Sequence, residues 1–236
     1  MFFSCMRKSS LKIYGTLIAS LALSIQGSAD NIAIIGGIDL AGSGPAYAAL
    51  VSNSGELIPL TLTGDALAGG IINSVSMNSS GNGLIGGQGQ TGAAYAALVS
   101  NSGEISPLLF TGGLEIHGAI NSAQINSSGI GIIGGRETIG PIYAALVPAA
   151  GNPLQVLTFP PLIASGGIIN SVAINDLGNG LIGGQAFFGL QSAYAASVSP
   201  LGGIRSLTLT GGIATNGTIS SVSINSSGMA LSEGKI

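Results

Sequence analysis

The sequence predicts an all-β fold, a β-propeller-like array of about four four-stranded antiparallel blades. Three markers carry that expectation. Y-A-A recurs from Tyr47, Tyr95, Tyr143 and Tyr194, and I-G-G from Ile35, Ile85, Ile133 and Ile182. I-x-S-(V/A)-x-(I/M)-N recurs from Ile72, Ile120, Ile169 and Ile219, and all three keep a period close to 48 residues. A repeat of this length marks stacked supersecondary units. The composition agrees: only 6% of residues are charged and 40 are glycine. Such a chain is poor in helix formers and rich in strand and turn residues.

Each unit reads as two hairpins. In the copy spanning 72–112, I-N-S-V-S-M-N alternates Val75 and Met77 with Ser74 and Ser76, the pattern of a half-buried strand. N-S-S-G-N-G follows, a turn signal rich in residues that accept positive φ. G-L-I-G-G-Q then gives a short apolar strand, and after the G-Q-T-G loop A-A-Y-A-A-L-V-S gives a longer one. N-S-G-E makes the next turn, and S-P-L-L-F, or L-I-P-L-T-L in the preceding copy, closes the unit. Four strands with tight polar turns fit one propeller blade. Pro59 and Pro107 fall in the last strand, and proline belongs on an edge because it cannot donate to a ladder.

The chain's two ends complement each other. N-I-A-I-I-G-G matches a second strand and I-S-S-V-S-I-N a first strand, so pairing of 219–225 with 31–52 would close a ring of four blades. However, M-A-L-S-E-G-K-I follows and reads as another second strand, with L-S-E-G-K where L-I-G-G-Q is expected. The alternatives are a surplus strand or a longer repeat array. A parallel β-solenoid with two rungs per unit is the rival architecture, but N-S-G and N-S-S-G read as hairpin connectors, which reverse direction.

Residues 1–29 differ from the rest. Arg7, Lys8 and Lys12 form a basic lead, 13–25 is a mostly apolar run, and Gly27-Ser28-Ala29 offers small residues for cleavage before Asp30. That is the layout of a secretory signal peptide, and the run is shorter than the roughly 20 residues of a spanning helix. The expected organisation is a signal peptide, 1–29, then a propeller-like repeat domain, 30–236. The expected location is secreted or cell-surface, outer-membrane-associated or periplasmic. No later run is long enough to form a transmembrane helix. The lone cysteine, Cys5, precedes the apolar run, so the processed chain carries no thiol for disulfides, thiolate metal sites or nucleophilic catalysis.

Charge narrows the partners. Beyond the leader, Arg136, Arg205 and Lys235 face all nine carboxylates. So acidic a surface does not suit nucleic acid, which needs clustered Lys and Arg.

Units of the form I-N-S-V-x-I-N, S-S-G-x-G-L-I-G-G-Q, Y-A-A-L-V-S, N-S-G-E and P-L-T-L-T-G resemble the propeller-type Gly/Ser-rich repeats of surface or autotransporter-like proteins from environmental chlamydia relatives. The resemblance covers 31–228 and implies an exported passenger-type region; the membrane barrel of full autotransporters has no counterpart here.

Candidate chemistry is sparse. His117 is the only histidine, and the equivalent connections in other copies lack one, so solvated surface is the expected role. Zinc needs three or four ligands. Glu56 and Glu104 both follow N-S-G and belong to a turn. A glycosidase needs two carboxylates facing one cleft; Asp39 and Glu137, on second-to-third-strand loops, are the pair to test. The segment 176–180 offers too few oxygens for a calcium loop. Glycine strings such as G-G-Q-G-Q-T-G lack the helix that a phosphate cradle requires. The four Y-A-A tyrosines are expected to pack between blades rather than to stack on sugars. No catalytic, cofactor-binding or metal residue is assigned, and no cofactor is expected.

The expected function is an exported, non-enzymatic repeat scaffold for surface display or for binding an unidentified protein or glycan. Its contact face would be the variable loops 38–45, 86–92, 136–141 and 186–192. The alternatives are a propeller-fold glycan-active enzyme and a fibrous solenoid adhesin.

Overall fold

The computed structural model describes residues 31–235, apart from 39–43, 65–68, 112–113, 115–116, 139, 188–190 and 228–229. The expected leader, Asp30, Asp39, Asp65 and Glu115 lie outside the described residues.

Strands follow one another in hairpins, and each sheet is ordered as the chain runs. The first sheet holds β1 (Asn31–Ile38), β2 (Ala46–Ser52) and β3 (Leu57–Pro59). The second holds β4 (Ile71–Met77), β5 (Gly83–Gln88), β6 (Ala94–Val99) and β7 (Ile105–Pro107). The third holds β8 (Gly118–Ile125), β9 (Gly131–Glu137), β10 (Ile142–Val147) and β11 (Gln155–Val156). The fourth holds β12 (Gly167–Ile174), β13 (Gly180–Ala186), β14 (Ser192–Val198) and β15 (Ile204–Ser206). A last pair, β16 (Thr218–Ile224) and β17 (Ala230–Lys235), starts a fifth sheet. Every pairing is antiparallel. The array is therefore propeller-like, and the solenoid alternative falls.

Ring closure does not occur as the ends suggested. β16 pairs with β17, Thr218 opposite Lys235 and Val222 opposite Ser232. The closing segment thus begins a further sheet instead of completing the first. The fourth strands are also shorter than read. Pro59 and Pro107 end β3 and β7, and each chain then keeps one further ladder bond, Leu60 N to Ala48 O and Leu108 N to Ala96 O. Two connections read as loops carry single helical turns, α1 (Pro161–Ala164) and α2 (Gly212–Asn216). Pro161 sits at the first helical position, where its missing N–H costs nothing.

The core is layered between successive sheets. Ile34, Leu50 and Leu60 meet Ile72, Val75 and Tyr95; Leu84 and Ala96 meet Ile120 and Ile133; Ile132 and Leu146 meet Ile169 and Ile182; Leu181 and Ala195 meet Ile219 and Val222.

Sheet contact explains the I-G-G motif residue by residue. The isoleucines Ile85, Ile133 and Ile182 are fully buried. The first glycine is a notch for the next sheet. A Cβ on Gly86 would lie 2.5 Å from Ile120 Cγ2, and one on Gly36 would lie 2.6 Å from Ile72 Cγ2. Gly134 and Gly183 receive Ile169 and Ile219 in the same way. The second glycine answers to its own sheet. The first strand bulges between Ile72 and Ser74, Ile120 and Ser122, and Ile169 and Ser171. Those bulges drive the carbonyl oxygens of Ile71, Ala119 and Ile168 into the space a Cβ would take on Gly87, Gly135 and Gly184.

The polar positions of I-x-S-V-x-I-N form a ladder from each first strand to the next. Asn73 Nδ2 donates to Ile120 O at 3.1 Å, Asn121 Nδ2 to Ile169 O at 3.0 Å and Asn170 Nδ2 to Ile219 O at 3.1 Å. The Oγ atoms of Ser74, Ser122 and Ser171 accept from Ala123 N, Val172 N and Val222 N. The closing asparagines Asn78, Asn126 and Asn175 donate to Asn126 O, Asn175 O and Asn225 O. A buried amide left without such a partner would cost stability, so each repeat is specified by the next.

Candidate functional site

Each sheet has a turn end, where its first and second strands connect, and a loop end, where its second and third strands connect. The predicted variable loops lie at the loop end, between β1 and β2, β5 and β6, β9 and β10, and β13 and β14.

At the loop end the repeats hold themselves together with neutral groups. Gln88 Nε2 donates to Gly92 O at 3.1 Å and to Gly118 O at 3.0 Å, joining the β5–β6 loop to the start of β8. Gln185 Nε2 reaches Gly217 O at 3.3 Å in the same manner. The third sheet breaks this rule. The register that holds Gln88 and Gln185 holds Arg136, and the next residue is Glu137. His117, just before β8, takes the place of Gly69, Gly166 and Asn216. Glu137 lies opposite Gly118, and Thr138 N donates to His117 O at 3.2 Å, so the two backbones run side by side, with the His117 imidazole toward Gly92 and the Glu137 carboxylate toward Gly140. His117 is exposed, and Arg136 and Glu137 are half-buried. Alternation along β9 sends Arg136 to the face opposite Glu137. Chemically, the place offers one carboxylate and one imidazole beside a loop of hydroxyl and amide groups.

The expected partner of Glu137, Asp39, lies outside the described residues, as does Glu115. Among the described residues, no three of His, Cys, Asp and Glu gather to hold a metal ion. Glu56 and Glu104 are turn residues as read: their backbone N–H groups donate to Ser52 Oγ and Ser100 Oγ. Asp176 caps a junction between sheets, accepting from Ser127 N at 3.0 Å and Ser127 Oγ at 2.6 Å. The Ser127 hydroxyl, then its backbone N–H, hold this carboxyl below the usual range.

Three tyrosines pack between sheets as expected. Tyr143 meets Phe110 edge-on at 5.9 Å and Tyr194 meets Phe159 at 6.1 Å, while Tyr95 is buried in the first junction. Burial pushes the Tyr143 hydroxyl up to about 12, which removes it as an acid or base near neutrality. Tyr47 is the exception at 39% exposure. At the turn end, a cleft of about 440 Å³ opens between the second and third sheets, lined by Asn82, Ser100, Ser106, Ser127 and Ser128. It carries no ionisable group, so it offers binding without chemistry.

No family model matches the chain, and no curated protein matches it. Similar solved structures include a gluconolactonase from Xanthomonas campestris, 12% identical with a TM-score of 0.47 over 79% of this chain and 62% of that one. Another is the Cps50 (Swd1) β-propeller domain of Myceliophteria thermophila, 12% identical with a TM-score of 0.48 over 77% and 57%. A third is a puromycin hydrolase, 12% identical with a TM-score of 0.43 over 80% and 29%. The chain spans about three-fifths of the length of the first of these. The expectation of a non-enzymatic, passenger-like scaffold is corrected by this comparison. Two of these three structures are named as enzymes, a gluconolactonase and a puromycin hydrolase, and the likeness to them is one of fold.

Proposed function

We propose that the chain is a propeller-fold hydrolase acting on an ester or lactone linkage in a carbohydrate-type substrate, with Glu137 as general base and His117 as the group that protonates the leaving oxygen. One observation carries the reading. In the third repeat alone the loop end carries a histidine, His117 in place of Gly69, Gly166 and Asn216, and the β8–β9 register sets Glu137 opposite Gly118, the residue after His117. The position of His117 is neutral in the sister repeats, so packing has no need of an imidazole there.

The linkage follows from the donor set. Cleavage of a glycosidic bond uses two carboxylates across the sugar ring, and this end presents one carboxylate with one imidazole. General-base attack of water on an acyl carbon needs only one base to take the water proton and one acid to supply the leaving oxygen. The neutral surroundings, Gln88, Gln90 and Thr138, suit hydroxyl groups of a substrate better than phosphate or metal.

The test is hydrolysis of a panel of sugar lactones and acylated sugars by the full chain. Glu137→Gln is expected to lower kcat/KM by about 10²–10⁴-fold, the usual range for a positioned acid–base group, and His117→Ala to flatten one limb of the pH profile. Absence of turnover across the panel, or full activity of Glu137→Gln, would remove the proposal.

A further inference from the structure

The closing strands share one register position that faces the next sheet. It is the residue paired with Leu50 in β3, with Leu98 in β7, with Leu146 in β11 and with Ser197 in β15. Directly opposed residues of a ladder put their side chains on one face, and Leu50, Leu98 and Leu146 pack toward the following sheet. The position holds Ile58, Ser106, Gln155 and Arg205 in turn. Three of these side chains are large, and the second sheet alone has a small one.

In the third sheet the large side chain spans the junction. Gln155 Nε2 donates to Leu201 O at 2.7 Å, in a turn of the fourth sheet, and lies where a Cβ on Gly202 would stand. The corresponding turn of the third sheet holds Ala150 in the place of Leu201, since Gly151 N donates to Pro148 O as Gly202 N donates to Ser199 O. Ser106 has no side chain long enough to reach it. Where Gln155 plugs one junction, its counterpart leaves the next one open.

The opening is the turn-end cleft of about 440 Å³ between the second and third sheets, a volume within the roughly 300–1,000 Å³ of small-molecule sites. Its floor is apolar, formed by Leu98 with the buried Val99 and Ile125. The exposed Ser80, Ser106 and Ser128 stand around that floor with the half-buried Asn82. The walls are fixed before any ligand arrives. Asn78 Oδ1 accepts from Ser80 N and Asn82 N at 3.0 Å each, Asn82 Oδ1 accepts from Asn101 N at 3.3 Å, and Asp176 holds Ser127. A site set in this way loses little freedom on binding.

The lining selects the ligand. A hydroxyl both donates and accepts, so a rim of serines matches a molecule whose own groups do the same, and no charged side chain lines the cleft to fix an ion. The apolar floor suits the C–H face of a ring. A peptide would bind by adding a strand to a sheet edge, but the edge here, β7, is three residues long and ends in Pro107, which cannot donate. We propose that the cleft binds a neutral sugar unit, with its hydroxyls on Ser106, Ser128 and Asn82 and its C–H face on Leu98 and Ile125. The cleft lies at the opposite end of the sheets from His117 and Glu137. A sugar held here meets no acid or base and is bound, not cleaved, so occupancy at this end and turnover at the other are independent.

The test is an NMR titration of the full chain with maltose, cellobiose and N,N′-diacetylchitobiose, read at the backbone amides. Saturable shifts are expected at Ser100, Ser106, Ser127, Ser128 and Ala150 with at least one of these sugars. Ser106→Gln and Ser106→Ile, which install the residues of the third and first sheets, are expected to abolish those shifts at an unchanged Tm. Ser106→Ala is expected to weaken binding by about 2–10-fold, what one neutral hydrogen bond contributes, and Glu137→Gln to leave binding intact. No saturable shift at these amides with any of the sugars overturns the proposal, as does undiminished binding by both plugged variants. Saturable shifts given by a neutral Ser/Asn peptide and by none of the sugars assign the cleft to peptides and overturn it equally.

Discussion

The junctions between sheets and the loop end of the third sheet obey opposite rules. At the junctions every repeat solves one problem with one set of residues: an isoleucine enters a glycine notch, and Asn and Ser side chains reach the next first strand. At the loop end the repeats differ: one register holds Ile38, Gln88, Arg136, Gln185 and Lys235, the next holds Asp39, Gly89, Glu137 and Ala186, and the third repeat alone adds a histidine, His117. Recurrence in this molecule marks what packing dictates. Departure marks what packing leaves free, and the charges collect there.

The comparison breaks first if the junctions tolerate change. Gly135→Ala is expected to have the largest effect, about 3 kcal/mol or more, beyond ordinary overpacking because the atom in the way is the backbone oxygen of Ala119. Chemical denaturation measures it, and an unchanged midpoint would show that the bulge can relax. Asn126→Ala comes next. It removes a 3.0 Å bond to Asn175 O and a 2.9 Å bond to Ile130 N from a buried site, for about 1–3 kcal/mol by the same measurement.

Asp176 sharpens the comparison at a junction that itself departs, since Ser79, Ser127 and Ser226 hold the equivalent places. Its carboxyl is held below the usual range through Ser127, so the folded state binds its proton less readily than the unfolded chain. The resulting stability is present above the ordinary carboxyl pKa and is lost as pH falls through the lowered one. The group is exposed, so the effect is small: between pH 5 and pH 3 the wild-type Tm should fall slightly more than that of Asp176→Asn. Smallest of all, Glu137→Gln and His117→Ala should leave stability within about 0.5 kcal/mol, as surface substitutions do. A large loss of stability in either would make the third loop end part of the framework.

Much of the framework was legible in the sequence because its signals are local. Alternation, hairpin turns and the prolines Pro59 and Pro107 placed the strands and the edges. What each motif position does was not legible, because the partner of Gly86 is Ile120 and the partner of Asn78 is Asn126, roughly one repeat away. Tyr47 was misread for a related reason: its sister tyrosines are buried by the preceding sheet. The candidate site was visible and undervalued. His117 has no histidine counterpart in the other repeats, and that singularity is the signal the sequence carries.

The ladder runs one way: each first strand offers its Asn and Ser side chains forward, to the strand about 48 residues later. A chain emerging from the ribosome therefore finds every new hairpin docking onto one already made, with no distant segment to await. Assembly of this kind is vectorial, and a stall at any point leaves a finished platform behind it rather than an unformed globule.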